Sequence, residues 1–324
     1  MSLSSLIDKD KYLRNEIRDV FQLSQLRLKL EKTHPLLAPS KTTNSQLVGV
    51  AFDYLLRFYL ERLNGLPYDR ENQWVAEKAK NILCESCEST QIENFECLEQ
   101  ESTKINQCSK RESMMAVSLS LHYSDSVLQS AYEHSLEIIE KVKSLQENFL
   151  ETGRLSRELI RQTLRMSYID PVLRSGRGVE YIGTDADELD IEDVEKQFSL
   201  LDDRLFKSRN RYLLNPTFDK GAQLVGGADA DLIIDDKLID IKSTKKLELS
   251  LESFCQIIGY LLLHRIGGIS SSSEEFTIEQ LGIYYSRYGY FFLFNVKDFI
   301  DENSLDKFTK WFENYVRNQK GKKI

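Results

Sequence analysis

The sequence predicts an α/β protein: a mixed sheet flanked by helices, following a large helical N-terminal portion. Apolar residues recur at helical spacing through the first two-thirds of the 324 residues. From Ala230 onward the grammar changes to short β-rich runs interrupted by one helix-period stretch. Only 15 Gly and 5 Pro punctuate the chain, so long regular segments are permitted.

Asp10–Lys32 is charged, carries Leu13, Ile17, Val20, Phe21, Leu26 and Leu30 near helical spacing, and stops before Pro35 and Pro39, which predicts a helix. A second is expected over about Ser45–Asn64, with Leu47, Val50, Ala51, Tyr54, Leu55 and Phe58 as its apolar face and Gly65 at its end. Glu71–Cys84 reads as a third. Glu85–Arg111 is polar and aperiodic, hence a loop or insertion. Val117–Glu151 returns to helix, closed by Gly153, and Arg154–Met166 adds another. Thr184–Asp203 is dense in carboxylates and reads as a solvated loop plus an exposed helix, a candidate acidic cover over any basic surface. Strands are expected at Ala230–Ile234, Lys237–Lys242, Leu281–Tyr285 and Tyr290–Val296, with a helix over Leu249–His264 capped by Ser250 and a closing helix over Lys307–Asn318. The implied domains are an N-terminal helical segment (1–40), a helical region (41–215) and an α/β core (216–324).

Composition excludes several classes. Forty-three Lys and Arg against 51 Asp and Glu give a net charge of −8, so nucleic-acid contact needs a local basic patch. No apolar run approaches the roughly 20 residues of a membrane span. The start lacks the basic region and apolar core of a secretory signal, so a cytoplasmic protein is expected. Five cysteines do not read as a secreted disulfide scaffold. Cys84, Cys87, Cys97 and Cys108 could hold zinc or an iron–sulfur cluster, but their spacing matches no recognisable thiolate site, and unligated thiols are the expectation. The four histidines are scattered, and no glycine-rich phosphate loop is present.

The informative stretch is Gly226–Lys242. If Asp235-Asp236 makes a two-residue hairpin turn, Ile234 pairs with Lys237, Leu232 with Ile239, Asp231 with Asp240 and Asp229 with Lys242. Ala230, Leu232, Ile234, Ile239 and Ile241 then share one face, expected to be the core face. Asp229, Asp231, Asp240 and Lys242 share the other. Opposed like charges are destabilising, so Asp231 against Asp240 calls for a cation, and oxygen ligands suit Mg²⁺ or Mn²⁺. Two carboxylates, a hard cation and a lysine suit phosphodiester hydrolysis; a solvated face with a cross-strand Asp–Lys pair is the bland alternative.

Gly227-x-x-x-Asp231, then Asp240-Ile241-Lys242, then Gln256-x-x-x-Tyr260 resembles the ordered motifs of PD-(D/E)xK nucleases, in their RecB-like branch. Gly49-Val50-Ala51-Phe52-Asp53 resembles that branch's preceding helical motif, with Asp53 where histidine is common, beside Arg57 as a possible ion-pair partner. The resemblance implies a restriction-endonuclease-like mixed sheet and a metal-dependent deoxyribonuclease. It implies Asp231, Asp240 and the Ile241 carbonyl as ligands of Mg²⁺ or Mn²⁺, with Asp53 as a further one, and Lys242 as the catalytic lysine. Gln256 and Tyr260 would contact substrate or brace the site. Lys207–Tyr212, Lys245-Lys246 and Arg287-Tyr288-Gly289-Tyr290 are expected to rim it, with Arg287 on DNA. Proteins of this kind resemble effectors of restriction, phage-defence or mobile-element systems, working with a partner that supplies recognition or a motor; self-association is a further expectation. The competing reading is a catalytically silent scaffold on the same fold.

Overall fold

A computed structural model describes residues 2–30, 34–67, 74–91, 110–269 and 277–321. In chain order the helices and strands are α1 (Leu3–Lys9), α2 (Lys11–Val20), α3 (Leu23–Lys29), α4 (Ser45–Asn64), α5 (Val75–Gln91), α6 (Lys110–His122), α7 (Asp125–Thr152), α8 (Arg157–Ser167), α9 (Asp170–Ser175), α10 (Glu188–Phe198), α11 (Asp203–Phe206), β1 (Tyr212–Leu214), α12 (Asp219–Val225), β2 (Leu232–Ile234), β3 (Lys237–Lys242), α13 (Leu251–Gly267), β4 (Gln280–Tyr285), β5 (Tyr290–Asn295) and α14 (Glu302–Gly321). The expected class holds: a helical majority with one five-stranded mixed sheet flanked by helices. Among the described residues no helix is long and apolar enough to cross a membrane.

The chain divides into two compact units, Met1–Pro39 with Leu63–Asn72 and Ser199–Ile324, and Ser40–Arg62 with Gln73–Phe198. This grouping differs from the three expected domains. The first helices do not stand apart, because Leu3, Leu6, Ile7, Leu13 and Ile17 are buried in the same core as Ile257, Ile258 and Leu261 of α13. The predicted Asp10–Lys32 helix is broken by Gln22 in the left-handed region (φ 53°), which turns α3 away from α2. Asp10 accepts the Leu13 N–H at 2.9 Å and so starts α2 rather than lying within it.

The sheet runs β1-β2-β3-β4-β5, antiparallel except for the parallel β3–β4 pair. The hairpin register is the expected one, Leu232 with Ile239 and Ile234 with Lys237. Asp235 takes a left-handed φ of 54° in its turn. The side assigned to the core is a correction. The helix α13 and the larger core lie on the side of Ile233, Leu238, Asp240 and Lys242. Leu232, Ile234 and Ile239 are fully buried as well, so both faces of the hairpin are covered. The strand β1 was not anticipated; it pairs with β2, which moves the start of the sheet ahead of residue 216.

The helix α13 is held close to α12 by two glycines. A Cβ on Gly221 would lie 2.3 Å from the Leu263 carbonyl oxygen, and one on Gly267 would lie 2.2 Å from that of Phe218. Backbone cannot move aside as a side chain can, so Gly221→Ala should lower the unfolding free energy by about 2 kcal/mol, read as a shifted urea midpoint at unchanged slope. An unchanged midpoint would show that the helices separate freely.

In the second unit α4 forms over the predicted residues. Its Val48, Ala51, Tyr54, Leu55 and Phe58 pack with residues of α5, α7, α8 and α10. The helix α5 extends past Cys84 to Gln91, and the expected Val117–Glu151 helix is two, broken at Tyr123-Ser124. The carboxylate-rich segment is not a loose cover: Ile191 and Val194 of α10 are in the core, and Asp190 and Asp193 are buried with them.

Candidate functional site

The hairpin ladder ends at Leu232 and Ile239, and the next position in register brings the first motif residues together. The Ile241 N–H donates to Asp231 Oδ2 at 2.7 Å, so a carboxylate replaces a strand carbonyl and the two strands part around it. Asp229 leaves the hairpin to bridge Thr217 instead of pairing with Lys242, because β2 continues along β1 through the Asn215 N–H to the Asp231 carbonyl. Asp229 is exposed.

Asp240 is 1% exposed. Its Oδ2 lies 2.9 Å from Lys242 Nζ, and its Oδ1 accepts from the same nitrogen at 3.2 Å. Oδ2 makes that ion-pair contact but accepts no hydrogen bond of acceptable geometry. Lys242 Nζ also donates to Gln256 Oε1 at 3.1 Å, and Gln256 Nε2 donates to the Tyr260 hydroxyl at 2.8 Å. Gln256 and Tyr260 are one turn apart on α13, so the helix that closes the core also delivers a fixed chain of hydrogen bonds to the hairpin.

Burial pushes the Asp240 carboxyl above its ordinary value, against the opposing pull of Lys242. Burial draws the Lys242 ammonium down, but Asp240 and then Asp231 more than offset it and hold the lysine charged. The Tyr260 hydroxyl is raised well above the usual phenol, by burial first and then by the Asp231 and Asp240 charges. Asp231, Asp240, Lys242 and Tyr260 thus form one electrostatic group on one side of the sheet. Tyr285, opposite Lys242 in the parallel β3–β4 register, joins it: burial and the Asp240 charge raise its phenol, and it donates to the Glu248 carbonyl at 3.0 Å. The sequence gives no hint of Tyr285, because pairing between strands separated by a helix leaves no local pattern.

A divalent cation fits the donor set in kind: two hard carboxylates, one with a buried oxygen that accepts no hydrogen bond. Among the described residues no three His, Cys, Asp or Glu side chains cluster as a complete metal site. Asp53 is ion-paired with Arg57 on α4, in the helical unit, as the intrahelical alternative expected. Cys84 and Cys87 lie half-buried on α5, while Cys97 and Cys108 lie outside the described residues.

The structure does not deliver Arg287 to a rim. Its side chain is 0% exposed and donates to the Ala38 carbonyl at 3.2 Å, while its own carbonyl accepts the Leu37 and Ala38 N–H groups. It fixes an N-terminal segment inside the sheet unit. Lys245 and Lys246 are exposed, as expected.

Comparison with protein-family models, with curated proteins and with solved structures returned no match. The functional reading therefore rests on the residues of this chain.

Proposed function

We propose that this chain is a metal-dependent nuclease of PD-(D/E)xK type that hydrolyses DNA phosphodiester bonds, acting with a partner as an effector of a restriction, phage-defence or mobile-element system. The observation that carries the reading is the buried Asp240 carboxylate, whose Oδ2 accepts no hydrogen bond, next in register to Asp231 and contacted by Lys242. A buried carboxylate oxygen that accepts no hydrogen bond is costly, and such groups in native proteins call for an explanation, a bound ion among them. Asp231, Asp240 and the Ile241 carbonyl would hold Mg²⁺ or Mn²⁺. Bound there, the ion would lower the pKa of a coordinated water and offset the negative charge of the phosphate.

The chain's own contribution is orientation. Lys242 stays protonated because Asp240 and Asp231 favour its charge, and an ammonium so held can donate to a phosphate oxygen as charge builds on it. Gln256 restrains the ammonium from the far side, and Tyr260 restrains Gln256. One observation favours the scaffold reading: Lys242 already pairs with Asp240, so that carboxylate needs no metal to offset its charge.

Cleavage of circular and linear DNA, single- and double-stranded, with Mn²⁺, Mg²⁺ or EDTA separates the two. The expected result is metal-dependent cutting that falls about 10²–10³-fold or more in Lys242→Ala and in Asp231→Asn, both still folded by circular dichroism. Mn²⁺ should also raise the melting temperature of the wild type and not of Asp240→Asn. Inert wild type on every substrate together with no thermal response to Mn²⁺ would leave the scaffold.

A further inference from the structure

The loop Lys207–Tyr212 and residues Asn64 and Leu66 line an open cavity of about 240 Å³ in the sheet unit. Three of its lining residues, Lys207, Arg209 and Arg211, are cations within five positions. The chain is acidic overall, and several of its exposed arginines elsewhere are matched: Arg157 with Glu188 and Glu195, Arg204 with Asp202, Arg265 with Glu302 and Asp306. Lys207 and Arg209 are exposed, and among the described residues neither has a carboxylate partner.

The carboxylate that this loop encloses is already committed. Asp235, in the hairpin turn, accepts the Ser208 hydroxyl at 3.0 Å, the Asn210 N–H at 3.0 Å and the Arg209 N–H at 3.1 Å. Burial raises its pKa, but these backbone bonds more than offset that and leave it below the usual carboxylate range. Asp235 thus acts as an internal anion: the loop wraps its backbone N–H groups around it and leaves the Lys207 and Arg209 side chains for an external one. Asn64 fixes the other wall, its Oδ1 accepting the Ser208 N–H at 2.8 Å and its Nδ2 donating to the Phe206 carbonyl at 3.0 Å. The Lys207 ammonium donates to the Leu63 carbonyl, which holds it at the cavity and leaves further N–H donors for a ligand.

We propose that this cavity binds a backbone phosphate of nucleic acid. A preformed wall with guanidinium and ammonium groups suits a phosphate in kind. The binding stands apart from the nuclease reading; that the phosphate belongs to a strand being cut rests on it.

The test is fluorescence anisotropy of a short labelled oligonucleotide, single- and double-stranded, in EDTA so that no cutting intervenes, between about 50 and 200 mM salt. The comparison is wild type against Lys207→Ala/Arg209→Ala/Arg211→Ala, with Lys245→Ala/Lys246→Ala as a control for bulk charge. The expected result is a loss of affinity of about tenfold or more in the triple variant, with the salt slope reduced by about 1, and a smaller loss in the control. Equal losses in the two variants would reduce the effect to net charge and overturn the cavity. Unchanged binding in the triple variant would overturn it as well. So would thermal stabilisation by inorganic phosphate without affinity for either strand, which would point to a free phosphate ester. Absence of cutting by wild type together with no thermal response to Mn²⁺ would remove the nuclease reading and leave these outcomes untouched.

Discussion

Lys242→Met should lower the unfolding free energy by about 3 kcal/mol at pH 7.5, and adding Asp240→Asn should recover most of that loss. Removing one member of a buried pair leaves an uncompensated charge, which costs about 3–5 kcal/mol, whereas neutral partners of similar size are often tolerated. The lower end applies because the Lys242 side chain is 27% exposed while that of Asp240 is 1% exposed. The pH dependence follows from the same contacts. Burial already raises the Asp240 carboxyl, and without Lys242 it rises further. A carboxyl whose folded value exceeds its unfolded one stabilises below the unfolded value and loses that contribution as pH rises through the folded one. The deficit of Lys242→Met should therefore shrink in acid and grow toward neutrality. In the wild type the same loss is smaller, because Lys242 opposes the rise of Asp240, and a second loss comes at alkaline pH, where Lys242, held above the ordinary lysine value, finally deprotonates. Urea titrations of the four proteins of the cycle from pH 4.5 to pH 9 give the coupling directly. A coupling near zero at neutral pH would mean that the ammonium does not neutralise Asp240, and the electrostatic account of the site would fall with it.

Local signals in the sequence carry a large part of this fold, and the failures have definite causes. The hairpin register is readable because a two-residue turn between alternating runs leaves one pairing, and the structure has it. Which side the next helix covers is not readable, since Leu232 and Ile239 on one side and Ile233 and Leu238 on the other are all apolar and all buried. The strand β1 is three residues long and bounded by a basic loop and Pro216, too short for a period to register. Charge density misled twice. Asp190 and Asp193 look like solvated carboxylates but are buried, and Arg287 looks like a turn cation but is enclosed and tied to the Ala38 backbone. Polar residues report their surroundings only through partners, and those partners are distant in sequence. The site shows the same division: Asp231, Asp240, Lys242, Gln256 and Tyr260 follow from motif order, whereas Tyr285 depends on a parallel pairing that no local pattern encodes.

Stability of the helical unit should decline by about 3 kcal/mol from acid to pH 7.5 through one side chain, Asp170, and Asp170→Asn should remove that decline. Asp170 begins α9, is 2% exposed, and accepts the Tyr54 hydroxyl at 2.7 Å; Tyr54 in turn accepts the Ala76 N–H at 3.1 Å. Its nearest cation, Arg174, stands 3.8 Å away with its own side chain 55% exposed, a weak counterweight. Burial pushes the carboxyl up to about 6, while the Tyr54 hydrogen bond and the Arg174 charge recover only part of the cost. Because the folded value lies above the unfolded one, the stabilising contribution is complete below about pH 4 and disappears as pH rises through about 6. Asparagine keeps an acceptor for the Tyr54 hydroxyl and carries no charge to desolvate. The variant should therefore match the wild type near pH 4.5 and exceed it by neutral pH, the opposite of the usual outcome when a buried acidic residue is replaced. Urea titrations at a series of pH values, followed by helical circular dichroism, provide the comparison. Parallel profiles would mean that Asp170 stays ionised at no cost, which its enclosure between α4 and α9 would then have to explain through a stronger cation than Arg174.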